Sequence, residues 1–230
     1  MKHVALVAIA TFLFTACGDD DVATDSGVAD SGARDGAVGD TGPSDAGDAG
    51  DAGDAGDTGD AGATQSVTLT FAAKVGTEAF SCGGSFADVG TTNSTITTND
   101  FRFYVHEVRL VDATGTEVPV AIETDGMWAL DGTVLLDFED GSSTCTGGNP
   151  QLNSTIEGTV PSGTYTGVRF TMGVPFGQNH NIDVATAPAP LNVTSMFWNW
   201  QGGYKFMRID GVSTGITGGW RQHLGSTGCD

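Results

Sequence analysis

The alternation of apolar and polar positions predicts β-strands along most of the chain after residue 65. Residues 67–72, Val-Thr-Leu-Thr-Phe-Ala, alternate as a half-buried strand does, and residues 101–110 form a longer run. Further strands are predicted at 117–122, 133–138, 154–160, 164–172, 204–210 and 219–224. Turn residues separate these runs and no window has helical periodicity. We therefore predict an all-β fold, an antiparallel β-sandwich or barrel-like domain.

The run at 101–110 also predicts which side chains share a face. Strict alternation places Tyr104, His106, Val108 and Leu110 on one face and Phe103 and Val105 on the other. A single histidine on such a strand is as often a hydrogen-bonded core residue as a ligand.

The densest aromatic stretch is 196–210, Met-Phe-Trp-Asn-Trp-Gln-Gly-Gly-Tyr-Lys-Phe-Met-Arg-Ile-Asp. One interpretation is a core strand entered through a glycine bend, because aromatic side chains bury large areas. The other is that one tryptophan belongs to a functional site. Composition alone does not choose between them.

The N-terminus has the organisation of an export signal. A short positive head precedes an apolar run from residue 4 to 14, which is too short to span a bilayer, and Thr15-Ala16-Cys17 ends it. This resembles a bacterial lipobox, so residues 1–17 are predicted to be a lipoprotein signal peptide with Cys17 as the lipidated residue. The alternative is an ordinary signal peptide cleaved nearby, and both predict export.

Residues 18–64 are predicted to be a disordered, acidic linker, because Asp-Ala-Gly repeats cannot bury enough apolar area to offset chain entropy. Of the net charge of −20, this stretch carries 13 Asp against one Arg, or −12, and Lys2 adds +1. Residues 65–230 therefore carry −9. This charge disfavours nucleic-acid binding through a basic patch, since phosphate contacts need clustered Lys and Arg.

With Cys17 assigned to lipid, the cysteines available for disulfides are Cys82, Cys145 and Cys229. Export favours disulfides, but three thiols leave one unpaired. We therefore expect the domain at 65–230 to lack a C-terminal part that supplies a fourth cysteine.

The candidate metal ligands after the signal are His106, His180 and His223. Imidazole suits Cu, Zn, Fe and Ni. No His-x-His, His-Glu-x-x-His or Cys-x-x-Cys spacing occurs, so the fold has to assemble any site, and we expect two of the three histidines to be ligands. His180 lies in a polar loop where solvent exposure is the alternative, and alternation places Trp220 and His223 on opposite faces.

Other motifs carry less information. Asp137, Glu139 and Asp140 before Gly141 lack the spacing of an EF-hand loop, and turn formation is the preferred interpretation. No G-x-S-x-G elbow or nucleotide loop occurs. The protein is therefore not expected to be an enzyme.

Several segments together resemble one family. They are Asp100-Phe101-Arg102-Phe103-Tyr104-Val105-His106, Leu135-Leu136-Asp137-Phe138-Glu139-Asp140-Gly141, Gly163-Thr164-Tyr165-Thr166-Gly167-Val168-Arg169-Phe170, Gly173-Val174-Pro175-Phe176, Asn179-His180, Ala187-Pro188-Ala189-Pro190-Leu191-Asn192, the run from Phe197 to Phe206, and His223-Leu224-Gly225-Ser226-Thr227-Gly228-Cys229. In this order they are similar to the MbnP-like family, also called the metallo-mystery pair system four-Cys motif proteins.

The resemblance implies an exported β-rich protein that is paired with a diheme c-type cytochrome, an MbnH-like relative of cytochrome c peroxidases. Related copper proteins hold the metal with histidines and a tryptophan oxidised to kynurenine by the diheme partner. Copper is therefore the implied cofactor. The candidate oxidised residues are Trp198, Trp200 and Trp220, while Trp128 lies outside the strongest motifs.

These observations predict an extracytoplasmic, membrane-anchored lipoprotein of the periplasm or cell surface. It would bind copper and serve as the substrate of the diheme protein, without turnover of its own. The alternative is a cell-surface binding or adhesion module without metal, in which the aromatic run forms an exposed patch.

Overall fold

The computed structural model of the chain describes residues 62–180, 183–199 and 202–226. The described strands are β1 Thr64–Thr70, β2 Lys74–Val75, β3 Glu78–Ala79, β4 Ser85–Val89, β5 Ser94–Asp112, β6 Glu117–Pro119, β7 Ala129–Leu130, β8 Thr133–Asp137, β9 Thr155–Pro161, β10 Tyr165–Met172, β11 Phe197–Trp198, β12 Gly203–Ser213 and β13 Ile216–Gly225. Helical structure in this part is one short α1, Phe176–Asn179, and a 3-10 turn at Thr194–Met196. The signal peptide, Cys17, Trp200, Cys229 and nearly all of the predicted linker lie outside the described residues.

The all-β prediction is confirmed, and each predicted run contains a strand. Every pairing between the described strands is antiparallel. None of the described helices is long and apolar enough to cross a membrane.

The 19-residue strand β5 is the centre of the larger sheet. It pairs with β12 and then β10 along one edge, and with β4, β8 and β6 along the other. Strand β12 in turn pairs with β11 and β13. One long strand therefore holds most of the described domain together.

A bulge in β5 makes the predicted face assignment wrong. In the β5–β10 pair, His106 is opposite Thr171 and Arg109 is opposite Arg169. Three steps along β5 thus match two steps along β10, so β5 has one extra residue between these pairs. Glu107 lies in this bulge and has a φ of +51°. The extra residue reverses the alternation. Val108 and Leu110 therefore share a core with Phe103 and Val105 rather than with Tyr104.

The larger core lies between this face of β5 and the two-stranded sheet formed by β1 and β9. Val67 and Leu69 of β1 and Ile156 of β9 are buried against the β5 side chains. The alternation in β1 therefore has the predicted cause, since its apolar positions face this core and its threonines do not.

The opposite face of the sheet is covered by the segment between β10 and β12. Leu191 and Met196 of this segment are fully buried beside Tyr104 and Tyr204. The Tyr104 hydroxyl donates to Pro190 O at 2.9 Å, and the Tyr204 hydroxyl donates to Leu191 O at 2.6 Å. These bonds fix the segment over the sheet and satisfy the buried phenols.

Candidate functional site

A row of charged side chains crosses the sheet on the face covered by this segment. Asp137 of β8 is opposite Arg102 of β5, Arg102 is opposite Arg208 of β12, and Arg208 is opposite His223 of β13. Residues that are directly opposite in an antiparallel pair share a face. The register therefore aligns four ionisable groups across four strands.

Two aspartates connect the arginines of this row. Arg102 donates to both carboxylate oxygens of Asp100, from Nε at 2.9 Å and from Nη2 at 2.5 Å. Arg208 donates from Nε and Nη2 to Asp210 Oδ2 at 2.9 and 2.7 Å, and its Nε lies 3.2 Å from Asp100 Oδ2. Asp100 and Arg102 are almost fully buried, so each charge depends on its partner for stabilisation.

The inner end of the row is a pair of buried acids, Asp137 and Glu139. Burial raises the pKa of Asp137 to about 7 despite a hydrogen bond from the Glu139 N–H and the charge of Arg102. Burial also raises the pKa of Glu139. Each of the three acids accepts from the backbone N–H two residues on, Asp137 from Glu139, Glu139 from Gly141 and Asp140 from Ser142, as turn formation predicts. The burial of Asp137 and Glu139 was not part of that prediction.

The outer end of the row is a hydrogen bond of 2.7 Å between His223 Nε2 and Asp210 Oδ1. Burial raises the pKa of Asp210, but the hydrogen bonds and charge of Arg208 and the bond to His223 outweigh it, so the net pKa is lowered. An ionised carboxylate only accepts hydrogen bonds. His223 Nε2 must therefore carry a proton, and in the neutral ring the lone pair is on Nδ1.

Trp198 lies beside His223, with ring centroids 6.5 Å apart and an interplanar angle of 46°. Its position depends on Gly225, where a Cβ would lie 2.1 Å from Trp198 Cζ3. The 3-10 turn that precedes Trp198 in the chain is fixed by two hydrogen bonds. Ser195 O accepts from Lys205 Nζ at 2.7 Å and from Arg208 Nη1 at 3.2 Å. The charged row thus positions both His223 and the strand that carries Trp198.

His180 approaches the same hairpin from α1. Trp198 is opposite Gly203 in the β11–β12 pair, and a Cβ at Gly203 would lie 3.4 Å from His180 Cε1. Because opposite residues share a face, Trp198 and His180 lie on the same side of this hairpin. The His180 Nε2 lies 3.1 Å from Asn179 Nδ2. Trp198 and His223 therefore form the candidate site, and His180, which is solvent-exposed, lies beside the same hairpin.

His106 belongs to a different place. It lies at the β5 bulge, with Nδ1 4.0 Å from Glu107 Oε2, in a shallow pocket that Asp131 and Pro175 also line. Burial lowers its pKa. Its contacts are therefore with the β5 bulge rather than with the hairpin that carries Trp198.

Trp220 is separated from His223 as the alternation predicts, because β13 has no irregularity between them. It packs against the small cluster of Val75, Phe86 and Ile96. Trp200 lies outside the described residues, so its place in the site stays a prediction.

A model of the MbnP family matches residues 64–230 of the chain. This protein belongs to the MbnP family. The structure is similar to the solved structure of MbnP from Methylosinus trichosporium, with 33% sequence identity, a TM-score of 0.60, and coverage of 73% of this chain and 64% of that one. The chain thus spans slightly less than two thirds of that solved relative. The comparison with curated proteins found no match.

The disulfide of this MbnP-family domain joins Cys82 and Cys145, with Cα atoms 5.5 Å apart. The two cysteines and Glu139 form the one group of three potential ligands found among the described residues. The histidines do not contribute to it. Cys229 lies outside the described residues.

The sequence interpretation missed the residues that organise the site in this family member: Asp100, Arg102, Arg208 and Asp210. A signal was present, since Asp100-Phe101-Arg102 and Arg208-Ile209-Asp210 place opposite charges two residues apart in otherwise apolar strands. Charges at such positions share one face, so each pair predicted a local ion pair.

Proposed function

We propose that this MbnP-family protein is an exported, lipid-anchored copper-binding protein, and that a diheme c-type cytochrome oxidises Trp198 to kynurenine. The observation that carries the proposal is the contact of Trp198 with His223, whose ring is oriented by Asp210. Its role is metal uptake, storage or handling, without catalytic turnover of its own.

The donor set fits copper. Imidazole nitrogen is a good copper ligand, and a metal-bound histidine usually donates its other ring N–H to a carboxylate or carbonyl. His223 has this arrangement with Asp210. His223 and His180 would hold the ion, with Trp198 beside them, and bound copper would supply redox chemistry at the site.

The protein's own residues prepare Trp198 for its partner. The indole is half-buried, so it is held by its neighbours and remains accessible from solvent. Ser195, Lys205 and Arg208 fix the strand that carries it. An electron acceptor that docked beside the β11–β12 hairpin would meet the Trp198 indole in a single orientation. Holding the reacting group in one orientation is what efficient reaction with a partner requires.

Copper titration of the mature domain, produced with and without the diheme protein, tests the metal site. We expect one copper ion per chain, and much weaker binding in His223→Ala and His180→Ala. The matched control is His106→Ala, which lies in a separate pocket and should bind as the wild type does. Absence of stoichiometric copper binding in both preparations would contradict the proposal.

Peptide mass spectrometry after co-expression with the diheme protein tests the oxidation. The mass change of kynurenine is expected on the peptide that contains Trp198, and Trp198→Phe should abolish it. The peptide with Trp220 should keep its mass, since Trp220 packs in another cluster. Modification at Trp200 or Trp220 alone would show that the partner selects another residue.

Lipid anchoring is tested by labelling cells with a fatty-acid analogue. Label should appear on the wild type and disappear in Cys17→Ala. Partition of both proteins into the membrane fraction to the same extent would contradict the anchor.

The alternative of an adhesion module has less support. Tyr204 is fully buried, while Phe197 and Trp198 are half-buried and pack on neighbouring side chains. The described part of the aromatic run therefore does not form the exposed patch that adhesion would need.

A further inference from the structure

The disulfide lies against a buried carboxylate. Potential ligand atoms of Cys82, Cys145 and Glu139, two sulfurs and a carboxylate oxygen, all lie within 4.8 Å of one another. Cys145 and Glu139 are buried, and Cys82 is partly exposed. These three residues lie at the inner end of the charged row, whereas His223 lies at its outer end.

The two oxygens of Glu139 are in different situations. Oε1 accepts from Gly141 N at 3.1 Å. Oε2 is buried without a hydrogen-bond partner among the described residues, and Arg102 Nη1 lies 3.9 Å from it. A buried acceptor without a partner is unfavourable and needs an explanation. Gly148 packs against this oxygen so closely that a Cβ there would lie 1.6 Å away.

Both cysteine loops are fixed by one residue besides the disulfide. Thr98 O accepts from Gly83 N at 2.9 Å and from Thr144 Oγ1 at 2.9 Å, and Thr98 Oγ1 donates to Ser81 O at 2.7 Å. Neither Cys82 nor Cys145 belongs to a strand. The sulfurs can therefore separate after reduction while their loops stay adjacent.

We propose that reduction of the Cys82–Cys145 disulfide creates a binding site for a divalent cation of the Zn²⁺ type, with both thiolates and Glu139 as ligands. Cysteine sulfur and carboxylate oxygen are both zinc ligands. The unpartnered Glu139 oxygen then has a function: it is the third ligand of a site that the disulfide closes.

The chemistry balances with a dithiol as the reductant. The dithiol gives two electrons to the S–S bond and becomes a disulfide, and the two cysteines become thiols. Zn²⁺ then displaces two protons and binds two thiolates. Two thiolates, one carboxylate and Zn²⁺ have a net charge of −1, and the Arg102 guanidinium, which pairs with Asp100, also lies beside this charge.

Cobalt provides the test, because thiolate-to-Co²⁺ charge transfer gives an absorption band that imidazole ligation does not. The mature domain is used with His180→Ala and His223→Ala as background, so that those histidines do not bind the probe. After reduction by a phosphine under anaerobic conditions, we expect one Co²⁺ per chain with this band, and Zn²⁺ should displace it. The oxidised protein should show no band.

Three variants define the ligands. Cys82→Ser and Cys145→Ser should each lose the band, and Glu139→Gln should keep the thiols but raise the Kd for Co²⁺ at least about tenfold. Glu157→Gln is the control, since this glutamate is exposed on β9, and its Kd should equal that of the background protein.

Three outcomes would overturn the proposal. They are no thiolate band in the reduced protein, an unchanged Kd in Glu139→Gln, and loss of the β-sheet circular dichroism on reduction in the presence of Zn²⁺. The last would show that Thr98 does not hold the loops together. None of these outcomes affects the copper proposal, whose histidines are absent from the tested protein.

Discussion

The bond of 2.7 Å between His223 Nε2 and Asp210 Oδ1 joins two adjacent strands and connects the candidate site to the buried charges of the sheet. Asp210 also accepts from Arg208, which lies 3.2 Å from Asp100. The orientation of one imidazole therefore depends on a series of charged partners that begins inside the domain.

Replacing Asp210 with Asn should weaken copper binding by about 10–100-fold, the usual effect of losing a residue that orients a metal-bound histidine. The amide leaves the size nearly unchanged but removes the charge that fixes the proton on His223 Nε2. Competition titration measures the affinity. Thr171→Val is a suitable control at an exposed position opposite His106, and equal affinities in Asp210→Asn and the wild type would contradict the prediction.

Gly225→Ala should displace Trp198, because the new methyl group would lie 2.1 Å from Trp198 Cζ3 and 2.9 Å from Tyr204 O. We expect a loss of about 1–3 kcal/mol in the free energy of unfolding and reduced oxidation of Trp198 by the diheme protein. The control is Gly177→Ala, where a Cβ meets no atom within 4 Å. Denaturation curves and peptide mass spectra measure the two effects, and equal behaviour of both variants would refute the assigned packing.

Arg102→Met should destabilise the domain by about 3–5 kcal/mol, because it leaves Asp100 buried without its main partner. Arg169→Met is the matched control. Arg169 pairs with Glu117 at the surface, where such pairs contribute about 0–1 kcal/mol. Urea denaturation gives both values, and a loss below about 1 kcal/mol in Arg102→Met would mean that the domain compensates for the missing charge.

The buried Asp137 predicts that stability falls as pH rises from about 4 to 7. Burial raises the folded-state pKa of Asp137 to about 7 from an ordinary value of 3.8. Between these values the folded state binds more protons than the unfolded state, so the stabilisation is complete below the ordinary pKa and is lost as pH passes 7.

The slope from this group is at most about 1.4 kcal/mol per pH unit, and Asp137→Asn should remove it. Unfolding free energies at several pH values measure the slope. Asp140→Asn should keep the slope, because the hydrogen bonds that Asp140 accepts from Ser142 lower its pKa. An unchanged slope in Asp137→Asn would assign the pH dependence to another group.

The strands were predictable because their period-two pattern follows directly from burial on one face. Val67 and Leu69 show this well, since each is buried and the threonine between them is not. The bulge at Glu107 was not predictable, because glutamate is not a residue type typical of positive φ. One unpredicted residue was enough to assign Val108 and Leu110 to the wrong face.

The site could be predicted only as a set of candidate residues. His180, Trp198 and His223 come from separate segments. The pairing of β11 and β13 with β12 brings Trp198 and His223 together, and α1 places His180 beside Gly203. The Asp100–Arg102 and Arg208–Asp210 pairs were visible locally, but the register that joins them is a property of the folded sheet.

The length of β5 has a consequence for how the domain folds. The first half of β5 pairs with β12, where Phe101 is opposite Ile209. This edge of β5 can therefore form its backbone hydrogen bonds only after β12, which is more than 100 residues later in the chain, has docked against it. Contacts between residues so far apart in sequence form slowly, because a long loop must close first. Until then, β5 presents its backbone and its phenylalanines to other molecules, and this is the stage at which the protein most needs protection from aggregation.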